Sequence, residues 1–204
     1  MAPAGGAQRV EPDLARRLLL RAVDLERPAH PRGVPGARSV LARLGCIQLD
    51  PIDRIGTNAD LVVHARVDGA RRGDWAATMP GGAFEHFAKE RCLLPAEAFP
   101  QYRDQAVQTP WWRLSQRLKR LPAGVVDAVR AEVAARGPLT AADLSDHGRV
   151  APLDWSGWTG TGKAGTMALE VLWTRCEVVV AGRTPHGKRI YDLPARALPA
   201  HHDA

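Results

Sequence analysis

The chain carries a neutral amide and a carboxylate two positions apart, Gln48 and Asp50, in the mostly apolar run 45–52, Gly-Cys-Ile-Gln-Leu-Asp-Pro-Ile. Side chains at positions i and i+2 of an extended segment point to the same side, so Gln48 and Asp50 share one face while Ile47 and Leu49 bury the other. A carboxylate beside an amide can hold a water molecule and stabilise positive charge nearby. Both abilities suit hydrolysis through an oxocarbenium-like state.

A second interpretation of the same residues is purely structural. Asp-Pro pairs commonly begin turns, and Asp50 would then start a turn before a helix, with Gln48 as a capping residue. On local grounds alone this is the more common case. A helix predicted over 39–44 ends at Gly45, since glycine favours the conformation found just beyond a helix C-terminus. Under either interpretation, the pair lies at a helix-to-strand junction.

Composition favours an anionic partner only modestly. The 204 residues include 28 Lys and Arg against 22 Asp and Glu, for a formal net charge of +6, and most cations are Arg, which binds phosphate well. The three cysteines, Cys46, Cys92 and Cys176, have neither disulfide nor zinc spacing, so we expect a reduced, cytoplasmic compartment and no metal. No run approaches the roughly 18 apolar residues of a membrane span, so we expect no membrane association.

Hydrophobic periodicity predicts mostly helices in the first half of the chain. An acidic start at Glu11-Pro12-Asp13 precedes apolar residues spaced by three or four, which predicts a helix from residue 12 to about 25. Aromatic and charged residues between Ala83 and Leu94 favour a β-hairpin. Further helices are predicted over 39–44, 58–67 and 73–79 and from Ala96 towards Leu118.

The second half also has helices followed by a hairpin. Gly137 is a natural helix stop, and Thr140 is a suitable N-cap for the short helix after it. A basic turn over 182–188 is of the kind that reaches a phosphate backbone. The predicted elements are helices over 125–136, 141–145 and 163–175 and strands over 177–181 and 189–193.

This repeated order is typical of winged helices, so we predict an α+β, mostly α chain of tandem winged helix-turn-helix modules with short β-hairpin wings. Residues 12–95 form the first winged helix and carry the Gln-Leu-Asp motif. Residues 96–121 form a linking helix, and residues 122–199 form the second winged helix. We expect flexible tails at 1–11 and 200–204.

One segment almost matches a phosphate-binding loop and is rejected as such. Residues 157–164 read Gly-Trp-Thr-Gly-Thr-Gly-Lys-Ala, close to G-x-x-x-x-G-K-[ST]. The last position is Ala164 where the motif needs a metal-binding hydroxyl, and no buried strand precedes it. We therefore expect no nucleotide cofactor. Lys163 and Thr161 are instead expected to cap the following helix, where Lys163 is placed to touch a phosphate.

Four parts of the sequence resemble a known family. The Gln-apolar-Asp motif is fairly specific in this context, although a Gln-x-Asp tripeptide alone would carry almost no information. The matching stretches are 44–51, 60–67 and 84–95, together with the set 137–140, 168–172 and 190–193 and the Trp-rich segment that contains Trp155 and Trp158. On these residues the chain resembles the bacterial crosslink-repair DNA glycosylases of the YcaQ/AlkZ type, which are built from tandem winged helices. The resemblance covers roughly the N-terminal half of that family's length.

The resemblance implies hydrolysis of the N-glycosidic bond of alkylated purines, including those in interstrand crosslinks, in double-stranded DNA. It implies that Asp50 stabilises the sugar cation or activates water and that Gln48 positions that water. It implies no metal or cofactor. Glu85 and His86 lie in the first wing, where DNA contact and exposure to solvent are equally expected. We predict DNA contacts from six cations: Lys89, Arg91, Lys163, Arg183, Lys188 and Arg189.

Three departures from the family motivate an alternative function. Where the family has a His before Asp60 and another within the hairpin, this chain has Ala59 and Lys89. The family also continues into a third winged helix and a β-barrel beyond the part that this chain resembles. The alternative is a non-enzymatic tandem winged-helix DNA-binding protein. A protein-interaction module that binds no DNA is the third possibility.

Overall fold

Short helices alternate with short strands through the computed structural model, which describes residues 9–26, 30–88, 90–106, 108, 113–153 and 160–203. Single 3₁₀ turns occur at Ala76–Thr78 and Ala96–Ala98. The helices are α1 (Pro12–Ala22), α2 (Gly33–Leu44), α3 (Asn58–His64), α4 (Phe99–Ala106), α5 (Leu114–Arg120), α6 (Val125–Arg136), α7 (Ala164–Thr174) and α8 (Pro194–Ala197). The strands are β1 (Ile47–Gln48), β2 (Ala83–Phe87), β3 (Arg91–Pro95), β4 (Leu139–Thr140), β5 (Arg149–Val150), β6 (Gly162–Lys163), β7 (Val179–Arg183) and β8 (Arg189–Asp192). Mixed helix and strand with small antiparallel sheets confirms the predicted α+β class.

Helix α2 begins six residues earlier than predicted. Its buried face includes Ala37, Val40 and Leu41, which recur at the spacing of one helix side. The prediction missed the start at residue 33 because the Gly- and Pro-rich beginning resembles a loop. Gly36 is required there, since a Cβ at this position would lie 1.8 Å from the carbonyl oxygen of Pro31. As predicted, the helix ends at Gly45, whose φ of 75° is left-handed.

The first sheet has the order β1-β3-β2, with both pairings antiparallel. The predicted hairpin over 83–94 is confirmed, because β2 and β3 pair from Ala83 opposite Pro95 to Phe87 opposite Arg91. Strand β1 adds to the same sheet with Gln48 opposite Cys92. The backbone N–H of Leu49 also donates to the carbonyl of Arg91 at 2.8 Å. The Gln48 segment is therefore fixed to the hairpin by backbone hydrogen bonds.

The second sheet has the same plan as the first. Its order is β4-β8-β7, so the short strand that precedes the hairpin again pairs with the last strand of the hairpin. A register shift between Val180 and Gly182 marks a β-bulge in β7. The helix predicted over 163–175 corresponds to α7. Strands predicted over 177–181 and 189–193 correspond to β7 and β8, with an error of two residues at the start and end of β7.

The prediction of one continuous helix from Ala96 towards Leu118 is wrong. The described residues form a 3₁₀ turn, then α4 and α5, and Arg113 before α5 has a left-handed φ of 58°. Pro110 explains why a single helix is unfavourable, because proline has no N–H to donate and restricts the residue before it. Helix α3 also ends at His64, three residues before the predicted end.

The short helix predicted over 141–145 is also wrong, because these residues form a turn. Thr140 and Asp143 bond as a capping pair, with the Thr140 N–H and hydroxyl both donating to Asp143 Oδ2 at 2.8 and 2.7 Å. The Ser145 N–H, which a helix would direct to the carbonyl of Ala141, donates to Glu132 Oε1 instead at 2.9 Å. A segment of five residues cannot recover the cost of helix nucleation when an outside carboxylate captures its donors.

The two halves of the chain share one apolar core. The larger cluster contains Val40 and Leu93 from the first half and Val129, Leu169 and Trp173 from the second, all 0 or 1% exposed. Trp173 also donates its indole N–H to the carbonyl of Glu85 at 2.7 Å. The predicted boundaries of two modules at 95 and 122 stay a prediction, but the modules pack directly against each other.

Helix α1 projects from this core with no buried residue. Its C-terminal end is held by the guanidinium of Arg66, which donates to the carbonyl of Val23 at 2.9 Å. Leu18 and Leu19 are 51% and 69% exposed. Over the described ranges, no helix is long and apolar enough to cross a membrane.

Candidate active site and cationic groove

Gln48 and Asp50 line one shallow cleft of about 410 Å³. Gln48 is the last residue of β1 and is exposed, whereas Asp50 is half-buried in the loop that follows. The cleft is completed by residues of the loop and of the first turns of α3, including Arg54 and Asn58. The pair therefore opens onto a common space, as the two-residue spacing requires.

Asp50 also forms the turn that the structural interpretation describes. Its Oδ1 accepts the backbone N–H of Ile52 at 2.8 Å, which is an Asx turn. Within the described part of the chain, Oδ2 has no hydrogen-bond partner. One carboxylate oxygen thus holds the loop and the other is available to a ligand or a water molecule, so the two interpretations are compatible.

The loop between β1 and α3 is held at its far end by Asp60. Thr57 and Asp60 form a capping box, in which the Asp60 N–H donates to the Thr57 hydroxyl at 3.2 Å and Thr57 donates back to Asp60 Oδ2. The other oxygen, Oδ1, accepts the N–H of Gly73 at 2.8 Å. Asn58 donates its side-chain amide to the carbonyl of Gln48 at 2.8 Å. Sequence reasoning missed this role of Asp60, although the Thr-x-x-Asp spacing at a helix start could have indicated it.

A second cavity of about 200 Å³ is lined by Asp50 and by one arginine from each half of the chain. Asp50 lines both this cavity and the 410 Å³ cleft. Trp75, Arg91 and Arg183 line the same cavity, together with a second carboxylate, Asp53. The Asp50 carboxylate therefore borders both the open cleft and a cavity that contains two arginines.

Most of the predicted DNA-contacting residues surround one groove of about 540 Å³, which we call the cationic groove. Thr140, Thr166 and Tyr191 add hydroxyl groups, and Glu170 adds a carboxylate. Lys89, the sixth predicted cation, lies outside the described residues. The five that line the groove are Arg91, Lys163, Arg183, Lys188 and Arg189.

Two of these arginines are engaged by a buried carboxylate. Glu85 on β2 is 0% exposed, and its Oε1 accepts from Arg183 Nε at 2.7 Å. Its Oε2 accepts from Arg189 Nε at 3.1 Å, while Arg189 Nη1 donates to Glu170 at 3.1 Å. The Arg189 side chain is 9% exposed, which does not favour DNA contact, whereas Arg183 is 21% exposed. DNA contact by either residue stays a prediction.

Lys163 and Lys188 are exposed, whereas Arg183 and Arg189 are held by Glu85. Neither lysine forms an ion pair with a carboxylate in the described ranges. Lys163 is the residue before α7, but its side chain does not cap the helix. The hydroxyl of Thr161, which was also predicted to cap, accepts from Arg149 at 2.6 Å instead. The two lysines are the cations best placed to meet an incoming polyanion.

Arg91 occupies the junction of the smaller cavity and the cationic groove. Burial, and then the neighbouring charge of Arg189, lower the pKa of Arg91, while Glu170 and Glu85 act in the opposite direction. Its guanidinium lies 5.9 Å from the ring centre of Trp173. An arginine remains protonated at neutral pH despite such a shift. Its Nε is buried and has no hydrogen-bond partner within the described part of the chain, which favours an added anion as an acceptor.

Glu85 and His86 are neither solvated nor available to DNA, which corrects the expectation for the first wing. His86 is 1% exposed and packs against Tyr102 and Trp173, with ring centres 5.2 and 5.3 Å apart. Burial lowers the pKa of His86. The hairpin packs against the second half of the protein, so the side chains of Glu85 and His86 are covered instead of projecting into solvent. By contrast, His64 on α3 is exposed.

No cluster of three or more His, Cys, Asp or Glu suited to a metal ion occurs among the described residues. The three cysteines are free. Burial raises the pKa of Cys92 to about 11 and that of Cys176 to about 12, so both remain neutral thiols at pH 7. The first three residues of the nearly matched phosphate-binding loop, 157–159, and both Trp155 and Trp158 lie outside the described residues, whereas 160–164 form the end of a loop, strand β6 and the first residue of α7.

Fold and site together define an α+β protein with duplicated helix-and-hairpin halves, an amide and carboxylate pair and an adjoining cationic groove. Residues 41–204 match the family described as DNA glycosylase AlkZ-like. The match covers most of the chain, so this protein belongs to the AlkZ-like DNA glycosylase family, and the resemblance found in the sequence is confirmed. It includes Gln48, Asp50 and all six predicted cations. Searches of curated proteins and of solved structures returned no match.

Proposed function

We propose that this protein is a DNA repair glycosylase that hydrolyses the N-glycosidic bond of alkylated purines, with Asp50 as the catalytic carboxylate and Gln48 as the residue that positions water. Its two halves act as winged helices that hold double-stranded DNA across the cationic groove. Family membership supports a DNA substrate. The exposed, shallow cleft supports a substrate that does not enter a deep pocket.

The chemistry needs only the groups that the cleft offers. Alkylation at N7 gives a purine a positive charge, so the C1′–N9 bond can break with its electron pair moving to N9 and the base leaving neutral. Positive charge then develops on the sugar, where the Asp50 carboxylate stabilises it or takes a proton from the attacking water. The water oxygen bonds to C1′, and the amide of Gln48 fixes its direction.

The main observation in support of the proposal is that Asp50 and the cations line neighbouring cavities. Asp50 lines the open cleft and also the cavity that contains Arg91 and Arg183. Both arginines continue into the cationic groove. A DNA backbone held in that groove therefore brings a sugar close to the carboxylate. This arrangement also suits interstrand crosslinks, because a base that is covalently joined to the other strand cannot be extruded into a closed pocket.

A base-release assay tests the proposal. Purified protein is incubated with methylated duplex DNA, and free 7-methylguanine is separated and quantified. We expect release by the wild type and a loss of about 10²-fold or more in Asp50→Asn, since a positioned catalytic carboxylate contributes rate factors of that order. A second substrate with one interstrand crosslink tests the extended specificity.

Asp146→Asn is the matched control, because Asp146 is an exposed aspartate whose Oδ1 also accepts a backbone N–H two residues on, at 2.9 Å. It has the same local geometry as Asp50 but lies outside the cleft and the groove. We expect release at the wild-type rate. Absence of release by wild-type protein from both methylated and crosslinked DNA would contradict the proposed activity.

A non-enzymatic DNA-binding protein is the second candidate, favoured by the Asx turn at Asp50. That turn gives the carboxylate a structural reason to be present without catalysis. Ala59, where the resembled family has a His, is 0% exposed and contributes only to packing. This candidate predicts tight binding of duplex DNA, no base release and the same DNA affinity for Asp50→Asn as for Asp146→Asn.

A further inference from the structure

The loop over 50–57 presents two large apolar side chains to solvent beside the catalytic pair. Ile52 is 67% exposed and Ile55 is 88% exposed. Single exposed apolar residues are ordinary on protein surfaces and need no explanation. These two differ because both line the same 410 Å³ cleft as Gln48 and Asp50. Their exposed surface therefore faces the space that the substrate is proposed to enter.

The loop is anchored on both sides of its tip. The Ile52 N–H is bound by Asp50 Oδ1, and Asp53 forms an ion pair with Arg72. Beyond Ile55, the Thr57 capping box fixes the start of α3. The fold thus holds two isoleucines exposed to water at defined positions, although burial of their apolar surface would lower the free energy.

The surrounding charge identifies the kind of partner. Arg54 stands between the isoleucines and lines the same cleft. Arg91 and Arg183 line the cavity on the other side of Asp50. A partner that fits must therefore combine anionic groups with flat apolar faces, which is the chemistry of nucleobases on a phosphate backbone. Apolar side chains are known to insert between base steps, where they unstack and kink DNA.

We propose that Ile52 and Ile55 form an apolar wedge that packs against the nucleobases next to the base being released and separates them from it. This inference rests on the proposed glycosylase function and deepens it by naming the residues that engage the bases. Separation of the stack exposes C1′ to Asp50 and water while the damaged base remains outside a closed pocket. The isoleucines are positioning residues that act on the DNA.

Fluorescence of 2-aminopurine tests the wedge without depending on catalysis, because this base brightens when it loses stacking. It is placed beside a 7-methylguanine whose sugar carries a 2′-fluorine to prevent hydrolysis. We expect saturating wild-type protein to raise the fluorescence and Ile52→Ala/Ile55→Ala to reduce that rise by about half or more. Leu19→Ala is the matched control, since Leu19 is 69% exposed and lies on α1, away from the cleft.

Kinetics supply the second measurement. With methylated duplex, we expect the double variant to release base about tenfold more slowly, whereas release from methylated single strands changes by less than about twofold, because there is little stacking to disrupt. An unchanged melting temperature shows that the variant is folded, as expected for two exposed side chains.

The outcomes separate the wedge from the proposed function. Fluorescence that rises with wild type but equally with the double variant overturns the wedge, as does saturated binding without any rise. Wild-type protein that raises the fluorescence but releases no base from methylated DNA overturns the glycosylase and leaves the wedge supported. Protein that does not bind the duplex overturns both.

Discussion

Gln48 and Asp50 differ in the hydrogen bonds that their side chains make within the described part of the protein. One oxygen of Asp50 is committed to the turn with Ile52. The side chain of Gln48 is exposed and makes no hydrogen bond in the described part of the chain, and only its backbone carbonyl is bound, by Asn58. Gln48 can therefore be altered with little effect on the fold, which makes it the cleaner probe of function.

We expect Gln48→Ala to slow base release by about tenfold to a hundredfold, since it removes an amide that orients water without removing the carboxylate. The measurement is single-turnover release of 7-methylguanine, with DNA affinity measured in parallel and expected to be unchanged. Gln116→Ala, an exposed glutamine on α5, is the control. Equal rates for Gln48→Ala and Gln116→Ala would contradict a role for the amide.

The sequence could predict that Gln48 and Asp50 act together but not the role of the buried acid Glu85. The spacing of Gln48 and Asp50 requires only local geometry, and the structure places both at one cleft. Glu85 could not be assigned from its neighbours, because the partners that explain it, Arg183 and Arg189, lie about a hundred residues further along the chain. From sequence alone, Glu85 resembles any charged residue of a β-hairpin wing, because its partners become its neighbours only when the two halves pack together.

At the scale of elements, the loop that carries Asp50 depends on the start of α3. Thr57→Ala removes the hydroxyl that caps this helix, and we expect it to lower the free energy of unfolding by about 1 kcal/mol. Urea denaturation measures the change. Thr166→Ala, which alters an exposed threonine inside α7, is the control and is expected to cause no loss. Equal stability of the two variants would argue against the capping box.

Glu132 joins helix α6 to the turn after β4 by hydrogen bonds. Because these bonds need its ionised carboxylate, the stability of the protein depends on pH. The hydrogen bond from His147 to Glu132 is the main cause that lowers the pKa of Glu132 to about 2 from its usual 4.5; burial opposes the shift, while Ser145 and Arg136 assist it. A depressed pKa means that the folded state holds fewer protons. The stabilisation by Glu132 is therefore present above pH 4.5 and is lost as pH falls from 4.5 towards 2.

We expect Glu132→Gln to be less stable than the wild type at pH 7, by about 1 kcal/mol from the weakened hydrogen bonds. The difference should shrink below pH 4.5 and vanish near pH 2. Denaturation at a series of pH values measures this, with Glu97→Gln as an exposed control. A constant difference across the whole pH range would show that Glu132 acts through packing alone.

Elements with strong local patterns were predictable, and those that depend on distant partners were not. The β2–β3 hairpin, helix α7 and the glycine stop at Gly45 follow from alternation, periodicity and backbone preference. The turn over 141–145 looks helical in the sequence because Thr140 and Asp143 have the spacing of a helix start. Only the capture of its donors by Glu132, on another element, decides against the helix.

At the scale of the whole molecule, the contact between the two halves centres on a buried charge. Glu85 in the first hairpin accepts hydrogen bonds from Arg183 and Arg189 in the second. The Arg189 guanidinium lies 4.7 Å from the ring centre of Trp173, and that of Arg183 lies 5.6 Å from the ring centre of Trp75. The same arginines line the cationic groove. The groove is thus assembled only when the halves are joined.

We expect Glu85→Ala to destabilise the protein by about 3 kcal/mol or more, because it leaves two guanidinium groups facing each other without their carboxylate. Urea denaturation measures the loss, and Glu90→Ala in the exposed turn of the same hairpin is the control. Adding Arg189→Met should recover part of the loss, since it removes one uncompensated charge. Equal stability of Glu85→Ala and Glu90→Ala would show that the ion pairs do not hold the halves together.

If the cationic groove holds DNA as proposed, the salt dependence of DNA affinity distinguishes the residues that contact phosphate from those that do not. Each lysine that neutralises a phosphate releases counterions, so Lys163→Ala and Lys188→Ala should each reduce the slope of log affinity against log salt by about 1. Lys119→Ala, an exposed lysine on α5 outside the groove, should leave the slope unchanged. Fluorescence anisotropy with duplex DNA at several salt concentrations gives the slopes. If Lys119→Ala lowers the slope as much as the groove variants do, DNA binds through general surface charge, and the route from the groove to Asp50 loses its physical basis.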